Sequence, residues 1–232
     1  ANEQIKVSDL LAIGRHPYTN WLGKLSKEDH HIIDKSLEEV GMLDFKSRSL
    51  DSLSDGEKQR VMIARALAQQ SPIIILDEPT AHLDIVHRFE VMRLLRTLAK
   101  EQNKAILLSI HELDLALQSA DYLWLLNNRS IEVGRPEDMI LEGVLQNVFK
   151  NDRLHFDKIS GSFRMQHQLQ KSIQLQSDDE SYKIWTSKAL EKIGFSISDR
   201  SDITVVIENN TWKIDKQIFN SIDELIAFLQ TS

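Results

Sequence analysis

The apolar residues of the first seventy positions recur at helical spacing and are separated by capping signals. Ser8 precedes the first apolar run, and Gly14 interrupts it. Residues 26–29 (SKED) and 54–57 (SDGE) each place a serine three positions before an acidic residue, as in the capping box that opens a helix. Pro72 ends the third run, because proline cannot continue a helix. We therefore predict three helices in this region.

After Pro72 the pattern changes to short apolar runs that alternate with helical segments. Residues 73–76 form an unbroken aliphatic run, and similar runs follow at 105–110 and 122–126. Strands that are apolar throughout are typical of parallel strands covered on both faces. The alternation predicts an α/β fold. The long helix after the first strand is expected to direct four apolar side chains inward: Phe89, Met92, Leu95 and Leu98.

The composition shifts in the last third of the chain. Residues 166–180 are rich in Gln, Ser and Asp, which favours a linker. Asn209 and Asn210 fit a hairpin turn between two apolar runs. The pattern predicts a helix at 182–192, strands at 203–207 and 211–214, and a last helix at 221–229. Trp185 and Trp212 are expected to be core residues of this small α+β module.

Composition and charge exclude several classes of protein. The 232 residues are 41% hydrophobic and 27% charged, which excludes a disordered or collagen-like chain. The net charge is −7, whereas a protein that binds duplex DNA usually has an excess of basic residues. No nucleic-acid partner is therefore expected. Cysteine is absent, which excludes disulfides and thiolate metal sites. With no membrane-spanning run and no signal-peptide features at residues 1–4, we expect a soluble, cytoplasmic protein.

Two adjacent carboxylates, Asp77 and Glu78, follow the first aliphatic run. In an open parallel sheet, ligands bind outside the carboxyl ends of the strands. One carboxylate there can hold Mg²⁺ through water, and the other can deprotonate an attacking water. The alternative is a strand that simply ends in a polar turn.

The helix that begins after Ser54 offers unpaired N–H groups and the positive end of its dipole in its first turn. Gly56 lets a ligand approach the backbone, so this turn can bind phosphate. The alternative is an ordinary capping box in which Ser54 and Glu57 satisfy each other's backbone groups. His111 after the second aliphatic run and Asp84 carry little information individually.

The order of these features is specific. Residues 53–60 (LSDGEKQR), 73–79 (IIILDEP), the Leu83–Asp84 pair and His111 closely resemble, in turn, the signature motif, Walker B strand, D-loop and switch histidine of ABC transporter ATPases. The resemblance implies a partial P-loop NTPase core with a helical subdomain, plus the C-terminal module. It implies domain limits of 1–70 for the helical subdomain, 71–150 for the C-terminal half of the RecA-like core, and 151–232 for the module.

The resemblance also implies roles for these residues in binding ATP and Mg²⁺. Glu78 would be the general base, Asp77 would hold the Mg²⁺ shell through water, and His111 would sense the γ-phosphate. The signature residues Ser54, Asp55, Gly56 and Glu57 would bind ATP held by the opposite subunit of a homodimer. Asp84 would relay between the two sites.

Residues 14–18 (GRHPY) resemble the segment of the helical subdomain that contacts the membrane partners in importers of iron–siderophore, haem and cobalamin complexes. The resemblance therefore implies transmembrane permease subunits, an indirect partnership with a substrate-binding protein, and a peripheral position on the cytoplasmic face of the membrane. The alternative is a plain helix end followed by a proline-containing loop.

The sequence lacks the phosphate-binding motif G-x-x-x-x-G-K-[ST]. Its only Gly-Lys pair, Gly23–Lys24, is followed by Leu25. We therefore expect a chain truncated at its N-terminus, inactive in isolation, with exposed sheet edges and apolar surface. Two other functions stay open: a non-transport ABC ATPase, and a catalytically silent fragment that acts as a binding module.

Overall fold

The structure, a computed structural model, describes residues 5–19, 21, 23–127, 130–150, 154–165, 169 and 171–231. Residues 1–4, which were predicted to lack signal-peptide features, and part of the predicted linker, 166–168 and 170, lie outside these residues. The chain divides into two compact units, Ala1–Met139 and Ile140–Ser232, and the division falls within the helix α6 (Pro136–Leu141). No helix in the described part of the chain is long and apolar enough to cross a membrane.

The three helices predicted at the start of the chain are confirmed. They are α1 (Val7–Arg15), α2 (Lys27–Glu39) and α3 (Asp55–Ala68). Both predicted capping boxes form, with the hydroxyl of Ser26 accepting from the N–H of Asp29 and that of Ser54 accepting from the N–H of Glu57. Short 3₁₀ turns lie at His16–Tyr18, Leu43–Phe45 and Leu50–Ser52. The apolar faces of these helices share one core that includes Leu11, Ile33, Leu37, Val61 and Leu67.

Arg15 is a buried cation that ties these three helices together. Its Nε lies 2.9 Å from Oδ1 of Asp29 on α2, and its Nη1 donates to the carbonyl oxygen of Ala68 at 2.8 Å. The same Nη1 donates to Oε1 of Gln70 at 2.9 Å, and the guanidinium lies 4.1 Å from the centre of the Tyr18 ring. The GRHPY segment therefore has a structural function inside this bundle.

The α/β prediction is confirmed by a strand–helix–strand unit. Strand β1 (Ile73–Leu76) pairs in parallel with β2 (Ala105–Leu108), and α4 (Ile85–Glu101) connects them. After α5 (Leu113–Ser119) come β3 (Leu123–Leu126) and β4 (Ile131–Gly134), which pair antiparallel. Three of the four inward predictions for α4 are confirmed, because Met92, Leu95 and Leu98 are buried. Phe89 is 45% exposed, so its inward prediction is wrong.

The expectation that the parallel strands are covered on both faces is wrong for the described residues. Ile74 is buried in the core of this unit, whereas Ile73 and Ile75 on the opposite face of β1 are 55% and 72% exposed. Leu107 of β2 is exposed on the same pair of strands. Alternate side chains point to opposite faces of a strand, so one face of this pair packs on the core and the other is an open apolar surface.

After the end of α6, the second unit contains α7 (Val144–Val148) and a hairpin of β5 (Leu154–Asp157) and β6 (Ser162–Met165). A five-stranded sheet follows in the order β11-β10-β9-β7-β8. Its strands are β7 (Lys171–Ser177), β8 (Phe195–Ile197), β9 (Thr204–Glu208), β10 (Thr211–Ile214) and β11 (Gln217–Phe219). Strand β7 pairs in parallel with β8 and β9. The helices α8 (Glu180–Lys192) and α9 (Ile222–Thr231) complete the unit.

The C-terminal predictions are confirmed for the helices and the hairpin, and wrong for the linker. Asn209 and Asn210 have φ of 49° and 59° in the turn between β9 and β10, as a two-residue hairpin turn requires. Residues 171–177 form strand β7 rather than a linker, because Ile173 and Leu175 alternate with polar residues and are buried.

The two tryptophans of this module differ in burial. Trp212 is buried, and its indole N–H donates to the hydroxyl of Thr186 at 2.8 Å. Trp185 is 62% exposed and packs under the ammonium group of Lys188, so its prediction as a core residue is wrong. Helical spacing alone does not distinguish the inner from the outer face of α8.

Candidate functional site

The carboxyl ends of the two parallel strands meet, and Ser109 joins them. The hydroxyl of Ser109, just after β2, donates to Oδ1 of Asp77 at 2.6 Å. The hydroxyl oxygen of Ser109 also accepts from the backbone N–H of Glu78 at 2.9 Å. The Ser109 N–H also donates to the carbonyl oxygen of Leu76. Ser109 therefore orients the Asp77 carboxylate and the backbone of Glu78, and sequence reasoning missed it because it lies within the predicted run at 105–110.

Glu78 and His111 form a close pair at this edge. Nε2 of His111 lies 2.7 Å from Oε1 of Glu78, and both side chains are accessible to solvent. Glu78 has a φ of 45°, a left-handed backbone conformation that costs a non-glycine residue about 1–3 kcal/mol. Such strain is typical of functional sites. The pair combines a carboxylate acceptor with an imidazole that can donate or carry a proton.

The loop between β1 and α4 is held by Glu112. Its Oε2 accepts from the hydroxyl of Thr80 at 3.2 Å, and its Oε1 lies 2.9 Å from Nη1 of Arg88. Arg88 also donates through Nε to the carbonyl oxygen of Leu83 at 2.7 Å. These contacts connect the residue after His111 to the loop that carries Asp84. No local sequence pattern predicts this network, because Glu112 is distant in the chain from Thr80 and Arg88.

Asp84 is the N-cap of α4. Its Oδ1 accepts from the backbone N–H of His87 at 3.0 Å, and its Oδ2 lies 2.8 Å from Nδ1 of the same histidine. These bonds, the backbone one first, hold the pKa of Asp84 below its usual value. The carboxylate therefore stays ionised at neutral pH.

The helix tip predicted to bind phosphate forms the capping box. Oε2 of Glu57 accepts from the N–H of Ser54 at 2.7 Å and from its hydroxyl at 2.9 Å. These bonds, the backbone one first, lower the pKa of Glu57. Asp55 points toward Lys58, with 3.6 Å between carboxylate and ammonium, and is largely exposed. In this state a carboxylate of the chain itself occupies the donors of Ser54.

The predicted residues thus fall into two groups. Asp77, Glu78 and His111 share the end of the parallel strands. Gly56 and Asp84 are linked through His87, since a Cβ added at Gly56 would lie 3.2 Å from Cδ2 of that ring. No group of three or more His, Asp or Glu side chains able to hold a metal ion exists among the residues that the structure covers.

Two family models match parts of the chain. Residues 2–81 match the family described as ABC transporter, and residues 170–230 match the iron ABC transporter C-terminal domain. The first match includes the tip of α3 and the Asp77–Glu78 pair. The second covers the five-stranded sheet with α8 and α9.

Several curated proteins resemble the chain. The iron(3+)-hydroxamate import ATP-binding protein FhuC of Bacillus subtilis (strain 168) is 39% identical over 149 residues, covering 64% of this chain and 55% of that protein. The achromobactin transport ATP-binding protein CbrD of Dickeya dadantii (strain 3937) is 39% identical over 153 residues, covering 66% of this chain and 57% of that protein. The chain spans about half the length of these curated relatives.

A solved structure shares the fold. An inward-facing ABC transporter assigned to the metal-chelate type aligns with a TM-score of 0.61 and 27% identity, covering 71% of this chain and 66% of that chain. The predicted α/β class, with part of an ABC ATPase core, is therefore confirmed. With its ordered motifs and both family matches, the chain is similar to the ATP-binding proteins of ABC transporters, within residues 2–81 and 170–230 for the two family models.

Proposed function

We propose that this chain is part of the ATP-hydrolysing subunit of an ABC importer for iron chelates, with haem and cobalamin complexes as the related substrate classes. The names of the relatives and the match to the iron ABC transporter C-terminal domain support this substrate class. The observation that supports ATP hydrolysis is the 2.7 Å contact between Glu78 and His111 at the carboxyl ends of β1 and β2. In this proposal, residues 1–70 are the helical subdomain, 71–150 the second half of the ATPase core, and 151–232 a separate module.

Each residue at the strand ends has a distinct role in the proposal. Glu78 takes the proton of the attacking water, and His111 contacts the terminal phosphate while it orients the carboxylate. Asp77 holds Mg²⁺ through a water molecule. A single exposed carboxylate fits this ion, because Mg²⁺ keeps several waters and needs only one or two protein ligands beside the phosphates of its nucleotide. Ser109 fixes the Asp77 carboxylate for this task.

The tip of α3 acts on a nucleotide held by a second copy of the subunit. Ser54 and Gly56 contact the γ-phosphate, flanked by Asp55 and Glu57, and the phosphate displaces the Glu57 carboxylate from the donors of Ser54. Asp84 relays between the two sites of the homodimer. The dimer associates with permease subunits on the cytoplasmic face of the membrane, and through them with a substrate-binding protein.

The substrate class is testable with the full-length protein and its permease in proteoliposomes. We expect a binding protein loaded with a ferric hydroxamate siderophore to raise ATP hydrolysis severalfold, because importers couple turnover to substrate delivery. Haem and cobalamin with their own binding proteins serve as comparators. Stimulation by nucleic acid or ribosomes instead would favour a non-transport ABC ATPase.

A polypeptide of these 232 residues is expected to bind ATP more weakly than micromolar and to hydrolyse none. The phosphate-binding loop supplies most phosphate contacts, and loss of even one preorganised donor costs about 3–4 kcal/mol in catalysis. Isothermal titration calorimetry with ATP and Mg²⁺ checks the prediction. A micromolar dissociation constant for this polypeptide would refute it.

A further inference from the structure

His87 occupies the space between the two groups of the chain that are proposed to face a partner's nucleotide. Its Nδ1 lies 2.8 Å from Oδ2 of Asp84, and its backbone N–H also binds that carboxylate. On its other side the ring packs against Gly56, where an added Cβ would lie 3.2 Å from Cδ2 and 3.5 Å from Cγ. The ring therefore contacts the first turn of α3 and the N-cap of α4 at once.

The contact at Gly56 leaves little room for a side chain. A Cβ 3.2 Å from Cδ2 would be closer than most contacts of a Cβ, so a larger residue at position 56 requires the ring to shift by a few tenths of an ångström. That shift moves the ring relative to Asp84, whose Oδ2 lies 2.8 Å from its Nδ1. One turn further along both helices, Nη2 of Arg60 lies 2.8 Å from Oε2 of Glu90. Helices α3 and α4 are therefore joined by two contacts, His87 against Gly56 and Arg60 with Glu90.

We propose that His87 is a positioning residue that holds Asp84 and the Gly56 turn in a fixed relation, so that both reach the partner subunit's nucleotide together. The proposal rests on the proposed function, because it assigns His87 to the assembly of the ATP-bound dimer. His87 itself does not contact the reacting atoms. The Asp84 carboxylate is the charged group that faces the ring within hydrogen-bond distance.

ATP-driven dimerisation of the full-length protein tests this role. In a Glu78→Gln background, which is expected to retain ATP, we expect His87→Ala to raise the ATP concentration for half-maximal dimerisation about five- to tenfold, at the low end of typical coupling between sites. ATP binding by the monomer, measured in parallel by calorimetry, should be unchanged, because that contact belongs to the phosphate-binding loop. A merely destabilised protein would lose both.

A double-mutant cycle tests the contact itself. Gly56→Ala alone should weaken dimerisation by displacing the ring, and it should weaken it little further in the His87→Ala protein. His30→Ala, an exposed histidine on α2, is the matched control and should behave as the parent.

The outcomes separate the two hypotheses. Dimerisation that is unaffected by His87→Ala, or additive losses in the cycle, would overturn the role of His87 alone. If the parent Glu78→Gln protein forms no dimer with ATP, the proposed function fails, and the role of His87 fails with it.

Discussion

Replacement of Glu78 by glutamine in the full-length protein is expected to lower ATP turnover about 10²–10⁴-fold, the usual contribution of a general base. Glutamine keeps the shape of the side chain and an amide group that can still contact His111, but it cannot take a proton from water at neutral pH. ATP binding should persist, because the phosphate contacts do not depend on this carboxylate. Single-turnover hydrolysis and nucleotide binding, measured on the same preparation with the permease, separate the two effects.

Glu101→Gln is the matched control for this substitution. Glu101 is an exposed glutamate at the end of α4 with helical backbone, so it has neither the strained conformation nor the histidine partner of Glu78. The control should hydrolyse ATP as the unmodified protein does. If Glu78→Gln also turned over normally, Glu78 would not be the base, and the 2.7 Å contact with His111 would have a structural meaning only.

Arg15→Met is expected to lower the free energy of unfolding of the first unit by about 3–5 kcal/mol, the usual result of removing one partner from a buried ion pair. The substitution leaves the Asp29 carboxylate without its counter-charge and the carbonyl oxygen of Ala68 without this donor. Because these contacts join three helices, the loss affects the whole bundle. Urea unfolding, followed by circular dichroism, measures the change.

Arg93→Met on the exposed surface of α4 controls for the loss of an arginine and should change stability little.

Acid titration of the Arg15→Met and parent proteins adds an independent check. Hydrogen bonds from the hydroxyl and N–H of Ser26, and then the Arg15 pair, lower the pKa of Asp29 from 3.8 to about 2. The stabilisation is therefore complete above about pH 4 and is lost as the pH falls toward 2. Equal acid sensitivity of the Arg15→Met and parent proteins would contradict a contribution of this pair.

Much of the fold followed from local rules that the sequence displays. The capping boxes at Ser26 and Ser54 and the Asn209–Asn210 turn depend only on neighbouring residues, so they were predictable. The candidate site at Asp77 and Glu78 was proposed from the rule that ligands bind at the carboxyl ends of parallel strands.

The remaining features depend on contacts between distant segments. Strand β7 has a Gln- and Ser-rich composition that obscured the alternation of its two buried residues, and its pairing with β8 and β9 identifies it as a strand. The exposure of Phe89 and Trp185 could not be predicted from the sequence. An apolar residue at the margin of a helix's apolar face can be either buried in the core or exposed to solvent. His87 and Ser109 became candidates only when the structure placed them beside residues 31 and 32 positions away.

The left-handed backbone at Glu78 has a consequence for how related sequences can be interpreted. Glycine or asparagine adopts such a φ at less cost than glutamate, so a chain released from selection for turnover would gain stability by exchanging the carboxylate. If Glu78 is the general base as proposed, retention of an acid at this position is a sign that hydrolysis is still under selection. Under the same proposal, its replacement by a conformationally permissive residue would mark a descendant that has lost its catalytic activity while keeping its architecture.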